Sequence, residues 1–247
     1  MNDRARRNLT TEQLAVLKDQ LPQHDGMKQM SDPVLLKAFA ELDSAAVSDA
    51  LDSQGLPSGI GGIAPVWGHP KVVGFASTVQ LEPYAPGPSG AHIATTAVAT
   101  AGADEIIVVA NDGRIDVSCW GGLLSLGASL RGVRAAIADG SCRDIGEARA
   151  LGFPVFARGG IPATARGRIQ QQSAGQPISV AGVRVSQGDI VIADETGVAF
   201  VPRAHAETVL EAAQGIAARE ESIAEDLRSG TALPDAMRDA RLAGREG

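Results

Sequence analysis

Arg143 and Asp144 stand together where an apolar segment ends and a helical pattern begins. The apolar segment runs from Gly132 to Ala138, and a second carboxylate, Asp139, follows it directly. A guanidinium binds a carboxylate or a developing enolate through a planar fork of N–H donors. Magnesium is bound in proteins through one or two carboxylates, with places left for water and substrate. This strand-to-helix turn therefore predicts an enzyme site for a small anion and a divalent metal, with its chemistry at Arg143 and Asp144.

Each of these two side chains also has a simpler interpretation. The segment from Asp144 to Glu147 fits a capping box, in which Asp144 caps the helix and Glu147 takes the reciprocal position. Spacing alone favours this helix cap over a metal ligand. Arg143 alone is also consistent with a surface ion pair, an interaction that contributes roughly 0–1 kcal/mol.

Two glycines, Gly121 and Gly122, precede a second helical segment that begins at Leu123. The first amides of a helix lack intrahelical acceptors and lie at its positive end, so this turn could bind a carboxylate or enolate oxygen. Close packing of a helix onto a sheet also favours glycine. The motif alone supports both interpretations equally.

Several other kinds of site are excluded by the motifs that the sequence lacks. The four histidines are scattered, and neither an HxxxH pair nor a Cys/His cluster occurs, which argues against structural zinc. Neither a nucleophile elbow nor a Walker loop is present. Cys142 borders the predicted site. A cysteine in such a position is more often a small packing residue than a nucleophile.

The composition bounds the class of protein. The chain has 247 residues, of which 44% are hydrophobic, enough for one sizeable core. A net charge of −7 without a basic block argues against a nucleic-acid partner. Two cysteines cannot form a disulfide framework, and no apolar run approaches the ~20 residues of a membrane span. We therefore expect a cytoplasmic α/β protein without membrane or nucleic-acid partners.

The pattern along the chain predicts an N-terminal arm over residues 1–30, a catalytic domain over 31–228 and a polar tail over 229–247. A buried strand is predicted over 106–110, with a turn at 111–113, and another strand ends at Asp139. Helices are predicted over 123–130, 145–151 and 204–227. The last helix carries Glu220 and Glu221, which a solvated helix face would also explain.

Together, these motifs resemble the RraA-like family, which includes the 4-hydroxy-4-methyl-2-oxoglutarate and 4-carboxy-4-hydroxy-2-oxoadipate aldolases. The resemblance covers roughly residues 32–228 and rests on six segments: 47–55, 71–79, 120–124, 139–144, 152–159 and 188–203. It implies an α/β/β/α layered sandwich and a homotrimer or hexamer with active sites between subunits. It also implies a metal-dependent pyruvate aldolase that acts on a small anionic oxo acid.

The resemblance also implies a role for each site residue. Asp144 would hold Mg²⁺ or Mn²⁺, and Arg143 would bind the keto-acid oxygen and stabilise the pyruvate enolate. Glu220 or Glu221 of a neighbouring subunit would approach the metal's waters. The substrate carboxylate would be bound by the backbone amides of the turn that Gly121, Gly122, Leu123 and Leu124 form.

One departure from the aldolases bears on the substrate. They carry an acidic residue at the position of Gly122, and this chain lacks that carboxylate. The leading prediction is a lyase that cleaves a 4-hydroxy-2-oxo acid to pyruvate, with oxaloacetate decarboxylation as a related reaction. Two alternatives stay open: a non-catalytic regulator that binds a ribonuclease, and an enzyme for another small oxo or hydroxy acid.

Overall fold

A computed structural model describes residues 30–86 and 92–238 of the chain. The predicted N-terminal arm lies outside these residues except for Met30, as do residues 239–247 of the predicted tail. Seven α-helices occur in the described part: α1 Asp32–Ala40, α2 Ser44–Ser53, α3 Thr95–Thr100, α4 Gly122–Leu130, α5 Ile145–Ala150, α6 Ala206–Arg228 and α7 Leu233–Ala236. A 3₁₀ turn over Arg203–His205 leads into α6.

Ten strands accompany these helices, and the last six of them follow one another without an intervening helix. They are β1 Ala64–Pro65, β2 Val72–Pro83, β3 Glu105–Trp120, β4 Ala135–Cys142, β5 Val155–Gly160, β6 Ile169–Ala174, β7 Ile178–Val180, β8 Val183–Val185, β9 Ile190–Ala193 and β10 Val198–Val201. Eight of them form one sheet in the order β1-β5-β4-β3-β2-β9-β10, with β6 also paired to β2. The pairs from β2 to β5 are parallel, whereas β9 and β10 are antiparallel.

The two faces of the parallel strands explain the layered arrangement. Because side chains alternate along a strand, Ile106 and Val108 face one side of β3 and Ile107 and Val109 face the other. The first set packs with side chains of β7–β10, so a second β layer covers this face. The second set packs with side chains of α3, α4 and α5.

Helices also cover the far side of β9 and β10. Helices α1 and α2 contact these two strands, and α6 packs on α1 and α2. The order of layers is therefore helices, parallel strands, the β7–β10 layer and helices again. This confirms the predicted α/β/β/α class.

The predicted turn at residues 111–113 is wrong, because β3 continues through it to Trp120. Asp112 and Gly113 have φ values of 51° and 67°, and the pairing with β4 shifts between Ala110 and Arg114. Residues 111–113 therefore form a bulge within the strand, with two of them left-handed, where the sequence pattern indicated a chain reversal. Among the described residues, no helix combines the length and the apolar character that a bilayer crossing needs.

Candidate active site

Arg143, Asp144 and the Gly121–Gly122 turn lie at the carboxyl ends of two adjacent parallel strands. Trp120 at the end of β3 pairs with Cys142 at the end of β4, and the Arg143 amide donates to the Trp120 carbonyl at 2.9 Å. The turn into α4 therefore lies against the turn into α5. Ligand sites in open α/β sheets are typical of this edge. The structure thus brings Arg143 and Asp144 together with the Gly121–Gly122 turn.

Asp144 does not cap its own helix, so the predicted capping box is wrong. It occupies the cap position of α5 with φ 57° and ψ 38°, and its side chain makes no capping hydrogen bond there. This left-handed conformation directs the carboxylate away from α5, and Oδ2 accepts a hydrogen bond from the Gly122 amide at 3.1 Å. Strained backbone of this kind is concentrated at functional sites in proteins.

Arg143 is held by Asp144 through a single nitrogen. Its Nε lies 3.1 Å from both carboxylate oxygens of Asp144. Its two terminal nitrogens form no hydrogen bond to any described residue, and 41% of the side chain is exposed. The ends of the guanidinium fork are therefore available to an anionic ligand.

The two glycines leave room for the charged side chains of this site. A Cβ on Gly121 would lie 3.1 Å from both Arg143 Cγ and Asp144 Oδ2. A Cβ on Gly122 would lie 1.8 Å from Glu147 Oε2 and 3.1 Å from Asp144 Cβ. The atoms nearest to these two glycines thus belong to side chains of the site itself, rather than to a contact between the helix and the sheet.

A buried aromatic anchor supports the turn into α4. Trp120 is 1% exposed, stacks on Phe153 at 6.3 Å between ring centroids and donates its indole N–H to Ser125 Oγ at 2.9 Å. The Ser125 amide in turn donates to the Gly121 carbonyl at 3.0 Å. These contacts connect the first turn of α4 to the core.

The amides of α4 divide into two groups. The Gly122 amide is occupied by Asp144. The amides of Leu123 and Leu124 belong to the same first turn, where a helix provides no acceptor. The side chain of Leu124 packs into the core, whereas Leu123 is 84% exposed. Two of the three amides predicted to bind a substrate carboxylate therefore remain available.

Glu220 and Glu221 lie on α6, in the helical layer opposite α4 and α5. Both are exposed, and Glu221 forms an ion pair with Arg228 at 2.7 Å. A single chain thus does not bring either glutamate to Asp144. The prediction that they act from a neighbouring subunit remains a prediction.

Asp139, the other carboxylate near the turn, points into the opposite layer. It is 2% exposed, accepts from Arg158 Nε at 2.6 Å and from the Ala181 amide at 2.9 Å. It is therefore a buried structural carboxylate with its charge compensated. The carboxylate that accompanies Asp144 is instead Glu147, which the sequence indicated only as a member of a capping box.

The donor set at Asp144 fits a hard cation with several waters. Among the described residues, no group of three or more His, Cys, Asp or Glu side chains could enclose a metal ion. Asp144 is only partly exposed, and the Glu147 carboxylate lies nearby. Magnesium takes oxygen ligands and is usually bound through one or two carboxylates, so these residues suit Mg²⁺ or Mn²⁺.

Cys142 is not a nucleophile of this site. It is 1% exposed, and burial raises the pKa of its thiol to about 11. Burial likewise raises the pKa of Cys119 to about 12. Both side chains are thiols at neutral pH, and only the thiolate is reactive.

Comparison with known proteins gives relatives of similar sequence. DlpA of Legionella pneumophila is 31% identical over 84% of this chain, and the match spans 34% of that protein's length. A protein of Halalkalibacterium halodurans, provisionally named 4-hydroxy-4-methyl-2-oxoglutarate aldolase, is 31% identical over 74% of this chain and 84% of its own.

Solved structures share the fold. A crystal structure of an uncharacterised Pseudomonas syringae protein has a TM-score of 0.75 and 30% identity, over 84% of this chain and 98% of that one. RraAS2 of Streptomyces coelicolor is described as an unusual member of the RNase ES inhibitor RraA family. Its structure has a TM-score of 0.71 and 24% identity, over 78% of this chain and 96% of that one. The family model RraA-like, described as Aldolase/RraA, matches residues 44–200. The chain therefore belongs to the RraA-like family.

Proposed function

We propose that this protein is a divalent-metal-dependent lyase that cleaves a 4-hydroxy-2-oxo acid and releases pyruvate. The observation that carries the proposal is the left-handed Asp144, whose carboxylate lies between the Arg143 guanidinium and the first amide of α4. A carboxylate, a guanidinium and a helix N-terminus therefore lie together at the carboxyl ends of β3 and β4. The relative from H. halodurans supports this class of reaction through its name.

The protein groups have separate tasks in such a cleavage. A divalent cation bound by Asp144 would supply Lewis acidity toward the oxo group. Arg143 would bind the same end of the substrate through its free terminal nitrogens and stabilise negative charge as it develops. The Leu123 and Leu124 amides would orient the substrate carboxylate. Decarboxylation of oxaloacetate develops the same charge and needs the same groups.

We further propose that the site is completed by a second copy of the chain, in a homotrimer or hexamer. Leu123 and Leu130 are 84% and 80% exposed on α4, beside the site. Large apolar side chains clustered on one helix face are typical of an interaction surface. The distance of α6 from Asp144 within one chain supports the same proposal, because Glu220 or Glu221 would have to come from a neighbour.

The test is pyruvate release from a panel of 4-hydroxy-2-oxo acids and oxaloacetate, with Mg²⁺ or Mn²⁺ and with a chelator. We expect release that depends on the cation and is abolished in Asp144→Asn, with Glu41→Gln as an exposed control on the opposite layer. Unchanged activity in Asp144→Asn or in the chelator would refute the metal assignment. Absence of both pyruvate release and cation binding, with capture of a ribonuclease, would favour the regulator instead.

A further inference from the structure

A second cavity lies where the parallel strands face the hairpin of β7 and β8. It has a volume of about 260 Å³ and is lined from one side by Asp112 and Gly113 of the β3 bulge. Ser179 of β7 lies on the other side, and Asp139 and Arg158 also line the cavity. No residue of the candidate active site contributes to it. Pockets for drug-sized ligands enclose roughly 300–1,000 Å³, so this cavity suits a smaller metabolite.

Arg158 is fixed in this cavity by a buried carboxylate. Its Nε donates to Asp139 Oδ1 at 2.6 Å, and Asp139 is only 2% exposed. The second oxygen of Asp139 accepts the Ala181 amide at 2.9 Å, so both carboxylate oxygens are engaged. Within residues 30–86 and 92–238, neither terminal nitrogen of Arg158 has a hydrogen-bond partner. The guanidinium is therefore held through Nε, and its two terminal nitrogens are available to a ligand.

Two glycines leave these terminal nitrogens uncovered. A Cβ on Gly62 would lie 3.3 Å from Arg158 Nη1, and a Cβ on Gly113 would lie 3.7 Å from Nη2. Both glycines have positive φ values, of 76° and 67°, which side chains rarely adopt. A larger residue at either position would lie against the guanidinium and take the space that a bound group needs.

The wall formed by the hairpin turn is held by the same carboxylate. A two-residue turn between strands often requires positive φ at both central residues, for which Asn, Asp and Gly are preferred. Here Ala181 and Gly182 have φ values of 48° and 86°. Alanine has no polar side chain to favour this conformation, and its amide is bonded to Asp139 instead. Asp139 thus positions both Arg158 and the turn, so the cavity is formed before any ligand binds.

Asp112 gives the cavity an unbalanced charge. It is exposed, and its carboxylate makes neither a hydrogen bond nor an ion pair to the described part of the chain. Arg114 attracts it electrostatically but is bonded to Asp116 through Nε and Nη2. Because Arg158 and Asp139 neutralise each other, the side chains that line the cavity carry one negative charge in excess.

We propose that this cavity binds a small amino acid, with its carboxylate on the terminal nitrogens of Arg158 and its ammonium group on Asp112. A guanidinium fork matches a carboxylate in a bidentate geometry. The ammonium group supplies the positive charge that balances Asp112, whereas a simple anion would add to the excess. The Ser179 hydroxyl on the cavity wall can donate to the carboxylate or accept from the ammonium group. This inference does not depend on the proposed lyase activity.

Saturation-transfer NMR of the full chain with each of the common amino acids, at millimolar concentration, tests for binding. The amino acid that binds best is then compared by calorimetry with the hydroxy acid and the simple acid of the same carbon skeleton; for alanine these are lactate and propionate. We expect the amino acid to bind most tightly and the simple acid least, because the simple acid has no donor for Asp112. Equal affinity of all three, or no binding of any amino acid, would overturn the inference.

Substitutions then locate the bound amino acid. Asp112→Asn keeps a residue that tolerates positive φ and removes the charge, so the dissociation constant should rise about tenfold, as expected for one lost hydrogen bond between charged groups. The matched control is Asp52→Asn, at an exposed aspartate of α2 outside the cavity, which should bind as the wild type does. Wild-type affinity in Asp112→Asn would overturn the proposed ammonium contact.

Arg158→Lys tests the carboxylate contact. Lysine keeps the positive charge that the buried Asp139 requires but removes the planar fork, so binding should be lost while circular dichroism still shows a folded chain. Arg143→Lys makes the same change in the candidate active site and should leave the affinity unchanged. Binding that is lost in Arg143→Lys but kept in Arg158→Lys would place the amino acid in the candidate active site and overturn the inference.

Discussion

Replacing Asp144 with alanine tests how much this residue contributes to the stability of the fold, apart from its proposed role in metal binding. Its carboxylate accepts the Gly122 amide and pairs with Arg143, and its backbone is left-handed. Aspartate and asparagine tolerate that conformation better than alanine does, because a short polar side chain can bond locally. Asp144→Ala therefore loses both the conformational preference and the acceptor.

The expected loss follows from these two effects. The left-handed backbone disfavours alanine relative to aspartate by about 1 kcal/mol. A hydrogen bond to a charged group contributes about 1.5–3 kcal/mol, and we take the low end because the Asp144 side chain is 29% exposed. The free energy of unfolding should fall by about 2–2.5 kcal/mol, which corresponds to roughly 4–10 °C in Tm for a domain of this size.

Asp144→Asn is the matched control. Asparagine keeps the left-handed backbone and an oxygen for the Gly122 amide, so its free energy of unfolding should stay within about 1 kcal/mol of the wild type. It removes the charge, so cation binding and pyruvate release should be lost. Urea denaturation in a chelator measures the first effect, and calorimetry with a pyruvate assay measures the second. Wild-type stability of Asp144→Ala would refute the anchoring role, and an active Asp144→Asn would refute the role in metal binding.

Three further predictions concern other parts of the chain. Burial opposes ionisation of Asp194, but hydrogen bonds from nearby amides and a hydroxyl outweigh it and lower the pKa of Asp194 below the ordinary 3.8. The stability that this carboxylate contributes is therefore present above pH 3.8 and declines below it. Asp194→Asn should flatten that acid-side decline in urea denaturation measured against pH, and an unchanged slope would contradict it. Cys119 and Cys142, with pKa values raised to about 12 and 11, should resist alkylation at pH 8 until the protein is unfolded, as mass spectrometry would show. Changing Leu123 and Leu130 to Asp should lower the mass seen by light scattering while circular dichroism still shows a folded chain, because both side chains are exposed on the single chain; an unchanged mass would exclude this face as the subunit contact.

Short-range patterns in the sequence predicted the α/β class, and the resemblance to the RraA-like family implied the layered sandwich. Strands are present near 106–110 and 132–139, and the helices after Gly122 and Asp144 begin there, but β4 begins at Ala135 and continues past the predicted end at Asp139 to Cys142. The continuation of β3 past Gly113 was missed because two consecutive left-handed residues can either reverse a chain or bulge a strand. Pairing with β4 decides between these outcomes, and that pairing is not visible in the sequence of β3 alone.

The site was predictable in its residues but not in its contacts. Arg143, Asp144 and the glycine pair meet because two parallel strands end side by side, which the α/β class already implies. The spacing from Asp144 to Glu147 indicated a capping box, since the sign of φ at Asp144 cannot be read from spacing. With φ positive, Asp144 turns toward α4 and the Glu147 carboxylate is released from capping.

Asp144 is a helix cap after all, but for the neighbouring helix. Gly121, at the cap position of α4, has no side chain that could accept a hydrogen bond. The Gly122 amide instead donates to Asp144 Oδ2 in the neighbouring turn. The carboxylate that anchors α4 is thus the carboxylate that the proposed cation site would use. If a cation binds at Asp144 as proposed, its affinity and the stability of the first turn of α4 would both depend on this one carboxylate.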